Sequence, residues 1–273
     1  MRSLPPEPFP LWLALGWTAF ITAALWLGLS TAFLLFGRSA NDIVLLGLTQ
    51  VAVYALVLGV FGLAWRAPLT ELLALRRSTL ALCLAAAVLG AALQIPATLL
   101  VNAVEHFFPL PEAVLRERIA RITPRSTVHG IAIFAVVAGL GPLVEEFFFR
   151  GALFGALRRG HGALITIVLV SLCFALGHLD LRLLPALFLV ALVIGQVREH
   201  SGSVWPGLAL HAAFNSATLA VVFCGGAPGG KPPDMPVLFA ISGCAVSALL
   251  WAVLRWLALS SPVAQNPRQS DVH

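Results

Sequence analysis

Apolar runs, each close to the length that crosses a bilayer and parted by short polar breaks, dominate this chain. The first extends from residue 11 to residue 36 without a charged side chain. Others follow at 43–65, 80–104, 130–156, 162–179, 183–197, 203–224 and 237–259. A helix of roughly 20 apolar residues spans the hydrocarbon layer. The expected fold is therefore all-α: a polytopic transmembrane helical bundle of about eight spans. The runs at 162–179, 183–197 and 203–224 are short and carry polar residues. Such interruptions are tolerated where a helix faces protein or a cavity instead of lipid.

Composition excludes the alternatives. Hydrophobic residues make up 59% of the chain and charged residues 11%, against about 25% charged in soluble domains. A soluble fold of this length buries too little of its surface to hide so much apolar area, and disorder requires the opposite bias. The net charge of +5 comes from arginines placed between apolar runs, not on a basic face, so orientation in a membrane explains it and nucleic acid is not an expected partner. Cys83, Cys173, Cys224 and Cys244 lack CxxC spacing and read as small side chains of the membrane core. The first run is too long for a signal-peptide core and reads as a retained span.

The stretch 105–129 differs. Arg116, Arg118, Arg121 and Arg125 are interspersed with Val114, Leu115, Ile119 and Ile122, which can share one helical face. This predicts a short amphipathic helix at the interface. The chain thus divides into residues 1–129, N-terminal spans and interfacial helix; 130–224, a polar-bearing membrane core; and 225–273, a glycine-rich loop, a last span and a disordered tail. Eight spans place both termini on one side. Arg2, Arg66, Arg76, Arg77, Arg158, Arg159, Arg198, Arg255 and Arg268 fall there, which favours the cytoplasm. Arg38, Arg182, Lys231 and the arginine-rich stretch fall on the other side.

Ionisable groups inside a bilayer are costly and mark functional sites by default. Three clusters qualify: VEEFFFRG with Glu145, Glu146 and Arg150; CFALGH with Phe174 and His178; and HAAFN with His211 and Asn215. Glu146 and Arg150 are one turn apart and suit an ion pair. Glu145 points about 100° away and is the spare carboxylate. Gly177 before His178 allows a close approach by another backbone, and Phe174 can wall the pocket of the histidine. His211 and Asn215 are one turn apart and face one cavity; Asn is a neutral donor suited to an oxyanion. Structural duty, as buried pairs or interhelical glue, competes with catalysis for each cluster. HExxH, GxSxG and GxxxxGK[ST] are absent.

The order EExxxR, FxxxH, HxxxN across spans resembles the CAAX prenyl protease and bacteriocin-processing family of intramembrane proteases (type II CAAX endopeptidases). The resemblance covers about residues 130–224. It implies an intramembrane endopeptidase acting on membrane-embedded, lipidated or membrane-anchored proteins and peptides. It further implies Glu145 as general base, His178 working with it on water, His211 and Asn215 at the oxyanion, and Glu146, Arg150 and Phe174 in support. The family has been described both as metallopeptidases and as metal-independent glutamate proteases. Zinc on Glu145, His178 and His211 would leave only the already paired Glu146 as base, so metal-free chemistry is preferred and no cofactor is required. The expected partners are a membrane-protein or lipidated-peptide substrate and the lipid bilayer, and the expected location is a bacterial plasma membrane with cleavage near the cytoplasmic side. Two other readings use the same residues: a proton- or ion-coupled transporter, and a non-catalytic maturation factor or scaffold.

Overall fold

The computed structural model describes residues 9–36, 42–65, 68–225 and 235–260. Arg2, Arg38, Arg66, Lys231, Arg268, most of the glycine-rich stretch and the C-terminal tail lie outside the described residues. The described residues form helices joined by short connections and contain no strand. In chain order the helices are α1 (Leu11–Phe36), α2 (Ile43–Trp65), α3 (Leu80–Phe107), α4 (Glu112–Ile122), α5 (Thr127–Arg158), α6 (Ala163–Gly177), α7 (Leu184–Ser201), α8 (Trp205–Phe223) and α9 (Val237–Ser260). A single helical turn, Leu69–Leu72, sits between α2 and α3.

The protein is a multi-pass, all-helical membrane protein, and the expectation of about eight spans is roughly met. Six helices, α1, α2, α3, α5, α8 and α9, are long and apolar enough to cross a bilayer. The other two expected spans are α6, apolar but only 15 residues long, and α7, whose last turns carry Gln196, Arg198, Glu199 and His200. These two pack against each other and face protein over much of their length, which relieves them of the length that lipid contact demands.

Proline shapes the long helices. Pro185 and Pro206 open α7 and α8, where a missing N–H costs nothing. Pro96 interrupts α3 after Ala92. Its absent N–H frees the Ala92 carbonyl, and the Ser247 hydroxyl of α9 donates to that oxygen at 3.1 Å.

Three apolar clusters hold the bundle together. One joins α1, α2, α5 and α6 around Phe61, Phe148 and Phe174. A second joins α3, α7, α8 and α9 around Leu89, Ile194 and Leu210. A third, around Ile43, Ile133 and Leu219, closes one end. The polar residues of α5 and α8 lie where the first two clusters meet. Helix α4 is present as expected: Leu115, Ile119 and Ile122 turn inward, whereas Val114 stays exposed. The four cysteines are free; Cys173 is buried, but Cys224 is exposed at the end of α8 instead of lying in the core.

The two ends of the bundle differ. At one, Arg158 pairs with Glu199 and Arg159 with Glu71, and the His161 ring meets the Phe9 carbonyl, so α1 begins there. At the other, Arg118 of α4 pairs with Asp180, which follows α6. Asp180, which by sequence could orient an imidazole or simply meet water at the interface, is held by Arg118 and by the Arg182 N–H.

A close helix contact passes beside the site. A Cβ on Gly90 of α3 would lie 2.2 Å from the Leu210 carbonyl oxygen of α8, next to His211. Gly90→Ala is expected to cost about 1–3 kcal/mol, the range for overpacking, measured as a lowered unfolding midpoint in detergent. Gly16→Ala, where nothing lies within 4 Å of the new Cβ, is the control and should leave the midpoint unchanged.

Candidate active site

The site is built on α5, which is not a uniform α-helix. Two π-helical segments, Ala135–Leu140 and Phe147–Leu153, flank Glu145 and Glu146. Such wide turns recur at functional sites because they re-aim side chains and release carbonyls. At the end of the first segment the Gly141 N–H reaches back five residues to Val136. The next residue, Pro142, has no N–H for the carbonyl of Val137. Asn215 of α8 supplies the missing donor, its Nδ2 lying 2.8 Å from the Val137 oxygen. In the second segment the Arg150 carbonyl receives a bond from Arg198 Nε of α7 at 2.9 Å.

Glu146, Arg150 and His211 form one buried network. Arg150 and Glu146 are both fully buried. Arg150 Nη1 donates to Glu146 Oε1 at 2.9 Å, and Nη2 reaches the Ala191 carbonyl of α7 at 3.4 Å. Its guanidinium carbon lies 4.6 Å from the centre of the Phe174 ring, a favourable site for a desolvated cation. His211 Nδ1 also meets Glu146 Oε1, at 2.9 Å. A carboxylate only accepts, so Nδ1 carries the proton in this contact. The His211 ring is further fixed by Phe174, with ring centres 5.5 Å apart. Among the described residues, Glu146 Oε2 and Arg150 Nε meet no hydrogen-bond partner.

Glu145 stands apart, as its helical position foretold. Its Oε1 accepts from Gln50 Nε2 of α2 at 2.7 Å. Its Oε2 is 3.8 Å from His211 Nε2, too far for a hydrogen bond. Glu145 also lines a cavity of about 150 Å³, with Tyr54, Phe149, Phe174, Gly177 and His178 among its walls. His178 Nδ1 donates to the Phe174 carbonyl at 2.8 Å, so its other ring nitrogen, Nε2, is not used in that bond. Gly177 does not admit another backbone; the space a Cβ would fill is bordered by the side chains of Thr18 and Thr22.

A second hollow, of about 400 Å³, shares Thr22, Leu25, Gly177 and His178 with the first and continues to Arg118, Arg121 and Asp180. The cavity thus opens toward α4, opposite the end where α1 begins and α5 finishes.

The sequence-predicted residues are therefore brought together as two linked groups. Glu145, His178 and Phe174 line the cavity; Glu146, Arg150 and His211 form the network behind it; Phe174 touches both. Asn215 is tied to α5 and keeps one further amide N–H. Among the described residues no three His, Cys, Asp or Glu side chains gather as a metal-binding group. Glu145, His178 and His211 as they stand do not form a ready zinc site. Sequence reasoning missed Gln50, Tyr54, Thr18 and Thr22. Gln50 had a signal: it is the one amide in an otherwise apolar run at 43–65, and such residues merit the same suspicion as charges.

Removing one partner of a buried ion pair strands the other charge at about 3–5 kcal/mol, whereas replacing both by apolar groups is often neutral. Arg150→Met is expected to lower the unfolding midpoint sharply in detergent. The double variant Glu146→Leu, Arg150→Met should regain most of the loss.

Residues 127–217, about one third of the chain, match the family model described as Rce1-like: type II CAAX prenyl endopeptidase Rce1-like. All seven residues singled out, from Glu145 to Asn215, fall within it. No curated protein and no solved structure matches the chain. Over residues 127–217, which hold the whole site, the chain is similar to the Rce1-like type II CAAX prenyl endopeptidases.

Proposed function

We propose that the protein is an intramembrane endopeptidase that hydrolyses peptide bonds in membrane-embedded, lipidated or membrane-anchored proteins and peptides, in a bacterial plasma membrane. The observation that carries this reading is the cavity itself. A carboxylate with one oxygen not held by Gln50 and a histidine whose Nε2 is not used in the Phe174 bond line one hollow inside an apolar bundle.

In this reading a water molecule sits between Glu145 and His178. His178 Nε2 accepts one of its protons as a hydrogen bond and orients it. Glu145 Oε2 takes the other proton as the oxygen attacks the carbonyl carbon. Gln50 holds Oε1, so the free oxygen keeps its aim. The tetrahedral oxyanion turns toward His211 Nε2 and the second N–H of Asn215. Donation from His211 Nε2 requires the imidazolium form, with Nδ1–H held by Glu146. Glu145 then returns its proton to the departing amine, the peptide bond breaks, and the carboxylate is regenerated. Glu146, Arg150 and Phe174 position His211 and touch no reacting atom. A metal ion would polarise the scissile carbonyl and the attacking water; because the three candidate ligands are not gathered, no step here is routed through one.

The substrate segment enters from the α4 end, through the hollow beside Trp26 and Leu179, so cleavage occurs on the face of the membrane where α4 lies. Proton abstraction by a positioned base contributes about 10²–10⁴-fold. Glu145→Gln and His178→Ala are each expected to reduce cleavage by at least about 100-fold with normal expression. The check is a comparison of peptide termini in membranes from cells with wild type, Glu145→Gln or no protein. Termini that persist with Glu145→Gln but vanish in the deletion would point to a non-catalytic scaffold. Gln50→Leu, of similar shape but without the donor, should lower kcat more than it raises KM.

A further inference from the structure

A second pocket, of about 260 Å³, lies at the opposite end of the bundle, where α5 and α7 finish. Arg76, Arg158, Arg159 and Arg198 line it, with Glu71 as its one lining carboxylate. Two of these arginines are already neutralised. Arg158 makes a two-point contact with Glu199, at 2.8 Å from Nε and 2.8 Å from Nη2. Arg159 Nη2 meets Glu71 at 2.6 Å.

Among the described residues the other two form no ion pair, although the Glu199 charge acts on Arg198. Arg198 is held in place from both sides: Nε donates to the Arg150 carbonyl, and the guanidinium lies over the Phe154 ring at 5.3 Å. Among the described residues no acceptor meets its Nη atoms. Arg76 is pinned through its backbone, because Ser203 Oγ donates to its carbonyl at 2.7 Å and Val204 N to Ala74 O at 3.0 Å. Its guanidinium also has no described acceptor, and its charge acts on that of Arg198. Two like charges are thus held at one pocket by ties to α5 and to the start of α8. Space for a ligand is provided by Gly155, whose Cβ position has nothing within 4 Å.

Guanidinium forks match the oxygens of phosphate and carboxylate groups, and of these phosphate is the anion that lipid headgroups carry. The pocket also lies at a charged end of the bundle, the kind of place that meets lipid headgroups when a bundle of this sort spans a membrane. We propose that this pocket is a phosphate-binding site, with Arg76 and Arg198 as its donors. The phosphate belongs to an anionic lipid headgroup or to a free phosphate species. The site is separate from the Glu145 cavity and stands whether or not the proteolytic reading holds.

The test uses the full chain purified in neutral detergent, with native mass spectrometry and thermal unfolding as readouts. The probes are dioleoyl phosphatidylglycerol, dioleoyl phosphatidylcholine and inorganic phosphate. Phosphatidylglycerol should be retained and should raise the unfolding midpoint, phosphatidylcholine much less. Arg76→Gln, at an exposed side chain, should weaken retention about tenfold, the change expected from one charge-assisted hydrogen bond; Arg198→Lys, which keeps the charge but loses the fork, should also weaken it. Arg116→Gln on α4 is the control. If inorganic phosphate alone raises the midpoint, with the same dependence on Arg76, the natural ligand is a free phosphate species; if acyl chains are needed, it is a lipid. Equal binding by wild type and Arg76→Gln, equal retention of both lipids, or no binding of any probe overturns the proposal.

Discussion

In hydrocarbon no solvent completes a hydrogen bond, and the fully buried pair of Glu146 and Arg150 carries that constraint to its limit. Everything around it answers to those two charges. Arg150 needs an aromatic face and a backbone oxygen, and finds Phe174 on α6 and Ala191 on α7. Glu146 needs a second donor, and finds His211 on α8. One ion pair on α5 therefore fixes the placement of three other helices. Coulomb attraction between buried partners rarely exceeds their desolvation cost by much. The pair is better understood as specifying which helices meet than as a source of stability.

The same constraint explains how the bundle treats its released carbonyls. Pro96 frees Ala92 and Ser247 of α9 fills the gap. Pro142 leaves Val137 without its donor and Asn215 of α8 fills that one. Arg198 of α7 serves the Arg150 carbonyl. Gln94, in the second half of α3, donates to the Phe214 carbonyl at 2.6 Å and to Thr218 at 2.8 Å, which ties α3 to α8 one turn beyond His211. Each of these bonds crosses between helices, so irregular backbone becomes the means by which α5 and α8 are registered against their neighbours. Asn215 illustrates the double use: its amide has two N–H groups, one spent on α5 and one directed elsewhere.

This arrangement also accounts for what could be read from the sequence. Span positions were legible because lipid selects on length and hydropathy, which are local properties. The ordered clusters from Glu145 to Asn215 were legible because charge is rare in spans. The division of labour between Glu145 and Glu146 followed from their 100° separation. Other features depend on three-dimensional proximity. Gln50 was visible as an oddity, but its partner is 95 residues away. The π segments of α5 have no simple signature beyond Pro142 and the nearby glycines. The fate of Asp180 turned on Arg118, which lies on a helix that sequence alone cannot dock. Cys224 looked like core because its run was apolar, yet it ends α8 in the open.

The two adjacent glutamates differ in the availability of their oxygens. Glu146 Oε1 receives two donors, Arg150 and His211, and the nearest ideal Cβ position to Oε2 is that of Gly207 on α8, at 3.5 Å, so this group is walled in. Glu145 has one oxygen tied to a neutral amide, while its second accepts no hydrogen bond among the described residues, lies 3.8 Å from His211 Nε2, and belongs to a residue at a cavity wall. A proton acceptor in catalysis needs a lone pair that can reach the water it activates. Only Glu145 offers one. His178 completes that wall, with its own Nδ1 committed to Phe174 O and its Nε2 not used in that bond. The backbone carbonyl of Phe174, whose ring faces Arg150 and meets His211 edge-on, thus also holds the His178 ring at the cavity. Phe174 links the buried network of Glu146, Arg150 and His211 to the cavity residue His178 through both its ring and its main chain.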